Sequence, residues 1–262
     1  MPELPDVEIE RRYLDSTGLR REISEVEVPR KKVLRDISAA KLRDELVGTE
    51  LTESSRRGKH LLAKSSGGKW LTLHFGMTGF LKYHKGEKPE TDHPAVVLHY
   101  DNGYLLIYDC TRLFGEVGLT GSAEEFYARR ELGPDALDVP EGEFRNILGG
   151  RRGGIKSALM NQKLVAGIGN IYSDEMLHSA RIHPASRASR IPRKRVDKLH
   201  GSMTEVLGAA ISAKAKAENM PKNWIIRNRE EGASCPCGGE IRKETIAGRP
   251  SYFCPECQER FE

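Results

Sequence analysis

No apolar run in the sequence approaches the roughly 18 residues that a membrane-spanning helix requires. The first thirty residues carry charges throughout, which predicts no secretory signal and no membrane partner. Cysteine is scarce: there are five, and four of them fall in one C-terminal corner. That usage speaks against a disulfide scaffold and for a cytoplasmic protein with a local metal clip. No internal repeat and no low-complexity tract is found. Nor does one sign of charge dominate, since 42 Lys and Arg face 38 Asp and Glu, a formal net charge of +4.

What is present is enough for a core. The chain has 262 residues, 38% of them hydrophobic and 31% charged, which suits about two domains. The charge is unevenly placed, at about −4 over residues 1–150 and about +8 over 151–262. A basic C-terminal half points to a polyanion partner, although basic residues that merely solvate helices would look the same.

Residues 5–17, PDVEIERRYLDST, read as a helix, with Pro5 at a first helical position and Asp6 and Glu8 on the positive end of its dipole. From about 20 to 120 the pattern is mostly strands. AVVLHY and YLLIY bracket an Asn102-Gly103 turn, and KHLLAK and KWLTLHF form a second hairpin. Short strands with turn signals at this spacing suggest a β-sandwich or barrel. Residues 131–154, rich in Gly, Pro and acid, read as a linker. Helical periodicity follows at Ile155 and Leu159, at Tyr172 and Met176, and at Val196, Leu199, Met203, Val206 and Ala210. Residues 229–262 hold too few apolar side chains for a core of their own.

That tail contains Cys235-Pro-Cys237 and Cys254-Pro-Glu-Cys257. Two close pairs around a β-like stretch resemble a zinc ribbon, in which four thiolates close a tetrahedral site and the metal replaces the missing core. The first pair is tighter than usual, and free or redox-active thiols are the alternative. One structural Zn2+ is expected. Cys110 stands alone and reads as a small core or loop residue. Between the knuckles, Arg249 falls at a hairpin tip, suited to a phosphate.

The chain opens Met1-Pro2-Glu3-Leu4-Pro5-Asp6. Removal of Met1 would leave Pro2 with a free secondary amine. An α-amino group has a pKa of ~7.7–8.0, so part of it is unprotonated near neutrality and can condense with an aldehyde. Glu3 beside it could supply or accept protons. Alone, a Met-Pro start signifies little. Together with RRGKHLL, LHFGMTGFL, NQKLVAGIGNIYSDE, IHP and GRPSYFCPECQ, in this order, it resembles the formamidopyrimidine-DNA glycosylase/endonuclease VIII family over essentially the whole chain. The MPELP start looks more like the formamidopyrimidine branch.

The resemblance implies an α+β multidomain fold: an N-terminal helix with a two-layered β-sandwich over 1–130, a linker over 131–154, a helix–two-turns–helix domain over 155–228 and a zinc-ribbon-type finger over 229–262. It places the family's proline nucleophile on Pro2, the acidic partner on Glu3 and the strand-borne lysine on Lys59. The residues that fill the gap left by an everted nucleotide fall on Met77, Arg112 and Phe114. Without the family, Met77 and Phe114 would be read as core. Asp109-Cys110-Thr111 is one residue longer than the family's usual approach to this loop. Asn170 matches a phosphate-binding asparagine, in Gly167-Ile168-Gly169-Asn170, whose glycines would expose backbone N–H groups to a phosphate. Lys156 matches a lysine near the lesion, His93 a histidine that touches the backbone, and Arg249 the zinc-hairpin arginine.

The implied partner is damaged double-stranded DNA. The implied chemistry is base excision through an N-terminal proline Schiff base, followed by β,δ-elimination, with zinc structural. Residues 214–234 are short and do not match the Gly-rich loop that covers flipped 8-oxoguanine, so poor handling of that base is expected. A non-catalytic lesion-binding protein and an endonuclease VIII-like enzyme specialised for pyrimidines are the alternatives. Nothing points to an obligate oligomer, and a monomer is expected.

Overall fold

The computed structural model describes residues 1–262 and divides the chain into two compact units. The first comprises residues 1–2 and 6–130, and the second residues 3–5 and 131–262.

The first unit is built on two four-stranded antiparallel sheets. One orders β1 (Ile23–Glu27), β6 (Pro94–Tyr100), β7 (Tyr104–Asp109) and β5 (Phe80–Lys85). The other orders β2 (Leu51–Arg57), β3 (His60–Ser65), β4 (Trp70–His74) and β8 (Glu116–Thr120). Both hairpins read from the sequence form. Strand alternation sends Leu61, Leu71 and Leu73 from one sheet and Val96, Leu98, Leu106 and Tyr108 from the other into a single core, as a sandwich requires. Cys110 is buried there too. Three helices complete the fold: α1 (Leu4–Thr17), one residue longer than expected at its start, α2 (Ala39–Leu46) and α3 (Ala123–Arg129). From α1, Val7 and Leu14 enter the sandwich core.

Two glutamates of α1 respond to pH in opposite directions. Burial works to raise the pKa of Glu8, but hydrogen bonds and charge from Arg11, Arg12 and Arg56 prevail and hold it at about 2. Burial pushes Glu10 up to about 7, against a single bond from the Leu81 amide. A carboxyl raised from 4.5 to about 7 in the fold is protonated there while the unfolded chain has lost its proton. Its contribution to stability is therefore full below pH 4.5 and lost as the pH rises to about 7. Glu10→Gln keeps an acceptor for the Leu81 amide and removes that loss. Its melting temperature should gain on that of the unsubstituted protein between pH 5 and pH 8, by on the order of 1–3 kcal/mol of stability. An equal difference at both pH values would contradict the assignment.

The second unit packs α4 (Glu141–Leu148), α5 (Ile155–Met160), α6 (Asn170–Ala180) and α7 (Arg193–Ser212), followed by the hairpin β9 (Arg242–Ile246) and β10 (Arg249–Phe253). The periodic residues Ile155, Leu159, Tyr172, Met176, Val196, Leu199, Met203, Val206 and Ala210 all enter one core. Residues 131–154 do more than connect. They contain α4 and send Ala136, Val139, Phe144 and Leu148 into that core. A single eight-residue helix amid Gly and Pro leaves too short a periodic signal to be seen in sequence. A smaller cluster of Ile225, Cys235, Ile241 and Cys254 lies in the tail. No helix is long and apolar enough to cross a membrane.

Candidate functional site

In the first unit, the turn joining β4 to β5 and the loop joining β7 to β8 are held back to back. The Gly76 backbone has φ +60, and a Cβ there would lie 2.6 Å from the Phe114 carbonyl oxygen and 2.5 Å from the Gly115 nitrogen. Only glycine permits both the left-handed conformation and that approach. The Arg112 amide donates to Thr78 Oγ1 at 3.2 Å, which ties the loops again. Arg112 then lies over the Phe114 ring, 5.3 Å from its centre. Met77 is 38% exposed and Phe114 56% exposed, so both are presented to solvent rather than packed as core. Cys110, before Arg112, is buried, and Leu113, after it, is left-handed at φ +54. Met77, Arg112 and Phe114 thus form one exposed group.

Lys59 occupies the two-residue turn between β2 and β3, and not a strand as expected. Its neighbours are fixed: Arg56 donates to Glu8 and to the Gly58 carbonyl, and Arg57 stacks on Tyr127 at 4.4 Å. Sequence reasoning missed Glu8 as the anchor of this basic turn, although its spacing to Arg11 and Arg12 is the signal of a helical ion-pair network. His93 is half-buried and its Nδ1 lies 2.9 Å from Arg30 Nη2, while its amide donates to Asp109. Pro2 is half-buried and precedes the first helix, next to an exposed Met1.

In the second unit, Glu3 is 1% exposed. Its Oε1 accepts from the Ile171 amide at 2.8 Å and its Oε2 from the Tyr172 amide at 3.3 Å. These are N–H groups of the first turn of α6, where the helix dipole favours a carboxylate. Glu3 thus takes the Ile171 and Tyr172 N–H groups, just beyond the Gly167–Asn170 turn, and the Gly167 amide donates to Gln162 Oε1 at 2.8 Å. Glu3 is far away in sequence, so no local signal reveals this cap.

Asn170 Nδ2 donates to the Pro250 carbonyl at 3.0 Å, which brings the asparagine beside Arg249. Arg249 is exposed and begins β10 after an Ala247-Gly248 turn, the hairpin-tip position expected. Lys156 is 0% exposed. Its Nζ donates to Asp174 Oδ1 and to Ser251 Oγ, each at 2.6 Å. Burial pushes it below the ordinary lysine range, against the attraction of Asp174. Lys156 is accordingly a support beneath the hairpin, not an exposed cation. Asp174 also accepts from Arg229 at 2.5 Å and from the Tyr252 amide at 3.1 Å, and Arg229 stacks on Tyr252 at 4.4 Å. Neither Asp174 nor Arg229 was singled out in the sequence. The only available clue was that Asp174 lies one helical turn after Asn170.

Cys235, Cys237, Cys254 and Cys257 gather with all four sulfurs within 4.8 Å of one another. Neighbouring sulfurs are 3.3–3.9 Å apart. A tetrahedron with metal–sulfur bonds of ~2.3 Å has edges of ~3.8 Å, so the donor set fits one zinc ion. Residues 214–234, which lack the expected Gly-rich loop, are pinned down. Met220, Trp224 and Ile225 are buried, the Ile226 amide donates to Glu175, and Arg229 reaches Asp174.

Comparison with known proteins follows this division. The formamidopyrimidine-DNA glycosylase N-terminal domain matches residues 1–117, the formamidopyrimidine-DNA glycosylase H2TH domain residues 132–221, and a zinc finger found in FPG and IleRS residues 237–260. The formamidopyrimidine-DNA glycosylase of Pelotomaculum thermopropionicum is 34% identical over 274 residues, covering 98% of this chain and 99% of the relative. That of Heliobacterium modesticaldum is 36% identical over 279 residues, covering 98% and 100%. Among solved structures, the Lactococcus lactis formamidopyrimidine DNA glycosylase bound non-covalently to DNA containing an AP site is similar at a TM-score of 0.89 and 31% identity, covering 99% of this chain and 100% of that one. The cysteine cluster is a structural zinc site.

Proposed function

The chain belongs to the formamidopyrimidine-DNA glycosylase family, and from that premise we propose that it is a bifunctional DNA glycosylase and abasic-site lyase of base excision repair. The observation that supports this best is the exposed group Met77, Arg112 and Phe114. Two apolar side chains offered to water beside a guanidinium are costly for solubility, but suited to the gap that an everted nucleotide leaves in a duplex. Phe114 and Met77 replace lost stacking, and Arg112 hydrogen-bonds the orphaned base. Asn170 and Arg249 bind phosphate oxygens, as does Lys59, and His93 contacts the backbone. Lys156 acts from beneath, by tying Ser251 of the hairpin to Asp174 of α6.

The chemistry starts at Pro2. Its unprotonated secondary amine attacks the sugar C1′, and the C1′–N bond to the base breaks with its electron pair leaving on the base. Glu3, next in the chain, exchanges protons as the sugar ring opens. The resulting cationic iminium acidifies the protons at C2′. Loss of one of them expels the 3′ phosphate, and a second elimination expels the 5′ phosphate. Zinc supplies the fold of the finger when bound. Borohydride trapping on duplex DNA containing an abasic site tests the reading, since only an iminium is reduced to a stable protein–DNA adduct.

The pinned segment 214–234 bears on substrate choice. Met220, Trp224 and Ile225 are buried, and the segment's one glycine, Gly232, makes no Gly-rich loop to cover a flipped 8-oxoguanine. Ring-opened purines, oxidised pyrimidines and abasic sites are therefore the preferred substrates. Single-turnover excision from matched duplexes should rank 8-oxoguanine opposite cytosine below them, by about 10-fold or more for the loss of one or two base contacts. Equal or faster removal of 8-oxoguanine contradicts this ranking without touching the proline chemistry.

A further inference from the structure

One side chain beside the cysteine cluster has no place in the chemistry above. His178 lies on α6, two turns after Asn170 and one after Asp174. Its Nε2 is 3.3 Å from Cys235 Sγ and 3.7 Å from Cys257 Sγ. We propose that His178 is a positioning residue of the zinc site, donating its Nε2–H to the metal-bound thiolates of Cys235 and Cys257.

The argument rests on charge and on the knuckles. Four thiolates around Zn2+ leave an excess of two negative charges in a tail whose own apolar cluster is small. Donors aimed at sulfur offset that charge and fix the ligands, as residues behind metal ligands do elsewhere. Backbone N–H groups of the knuckles are the usual donors. Here the Cys237 N–H reaches the Cys235 sulfur and the Gly239 N–H the Cys237 sulfur, while Pro236 and Pro255, which have no N–H, add no further donor. The first knuckle is also one residue short, with Pro236 alone between Cys235 and Cys237. The sulfur approached by His178 at 3.3 Å belongs to that short knuckle.

Helix geometry gives the contact a second consequence. Asn170, Asp174 and His178 are spaced i, i+4 and i+8, so they line one face of α6. Each meets the finger at a different point: Asn170 at the Pro250 carbonyl, Asp174 at the Tyr252 amide, and His178 at the two sulfurs. The hairpin that presents Arg249 is thus docked along the helix that presents Asn170, and His178 is the metal end of that strut.

The test is made on the full-length protein by competition for Zn2+ with a chromophoric chelator. His178→Phe retains ring volume without a donor, and His178→Gln retains a donor. His178→Phe should weaken zinc binding about 10-fold or more, and His178→Gln should restore most of it. His178→Leu serves if the Phe variant does not fold. The absorption of the Co2+-substituted protein separates donor from ligand. The visible band envelope of a four-sulfur site should be the same in the unsubstituted protein and His178→Phe. Zinc affinity within twofold in the Phe or Leu variant would overturn the proposal. So would failure of the Gln variant to restore affinity, or a change of the Co2+ envelope showing that His178 itself binds the metal.

Discussion

Pro2→Gly should lose borohydride trapping on abasic duplex DNA, and with it strand cleavage, by on the order of 10³-fold or more, as expected when a nucleophile is removed. The physical reason is the nature of the amine. Condensation of a secondary amine with an aldehyde gives an iminium that is cationic without any added proton. A glycine amine gives a neutral imine that must first be protonated to withdraw electrons. It also loses the ring that fixes the backbone before α1. A second version leaves every side chain in place. One extra residue retained before Pro2 turns its nitrogen into an amide, whose lone pair is delocalised into the carbonyl and is no nucleophile. That protein should fold and bind abasic DNA normally yet form no adduct. Trapping by the extended protein at the rate of the processed one would exclude Pro2 as the nucleophile. Binding without trapping by a correctly processed chain would favour the non-catalytic reading instead.

How far the fold could be read in advance depended on the range of the interactions involved. Both hairpins, the first helix and the apolar stripe of α7 were legible because they rest on periodicity and turn chemistry within a few residues. α4 was not, because eight residues with Phe144 and Leu148 as their buried pair leave too little pattern to see. At the site, the cysteine set was legible from spacing. Met77 and Phe114 were misread on hydropathy alone, since nothing in an apolar residue says that a loop will hold it outward; only the family resemblance pointed there. The contacts that organise the second unit were wholly hidden. Asp174 gathers Lys156, Arg229 and the Tyr252 amide from three separate parts of the chain; the two cations taken alone look like ordinary surface charge, and a backbone amide carries no signal in the sequence. The long-range cap of α6 by Glu3 was hidden for the same reason, and it fixes where that carboxylate sits.

Gly169→Ala should therefore disable the protein nearly as much as loss of Glu3 itself. The Gly169 backbone is extended, at φ −125 and ψ −162, so alanine suffers no conformational strain there. Its Cβ, however, would overlap Glu3 Cδ and lie only 2.5 Å from Glu3 Oε1. The carboxylate must leave, and the Ile171 and Tyr172 amides lose their acceptor. Loss of such a cap costs about 1–2 kcal/mol of stability. Moving a proton-exchanging group off its position costs about 10²–10⁴ in rate. Glu3→Gln keeps one oxygen acceptor but turns an amide NH2 toward an N–H, and should lose comparable activity with a smaller change in stability. The decisive measurement is a double-mutant cycle. Glu3→Ala removes the atoms with which the added methyl group would collide, so adding Gly169→Ala to Glu3→Ala should cost little further in melting temperature or in cleavage rate. Strongly coupled losses locate the effect of Gly169 in its contact with Glu3. Losses that simply add would show that Gly169 acts elsewhere, and that the Glu3 cap does not control the site.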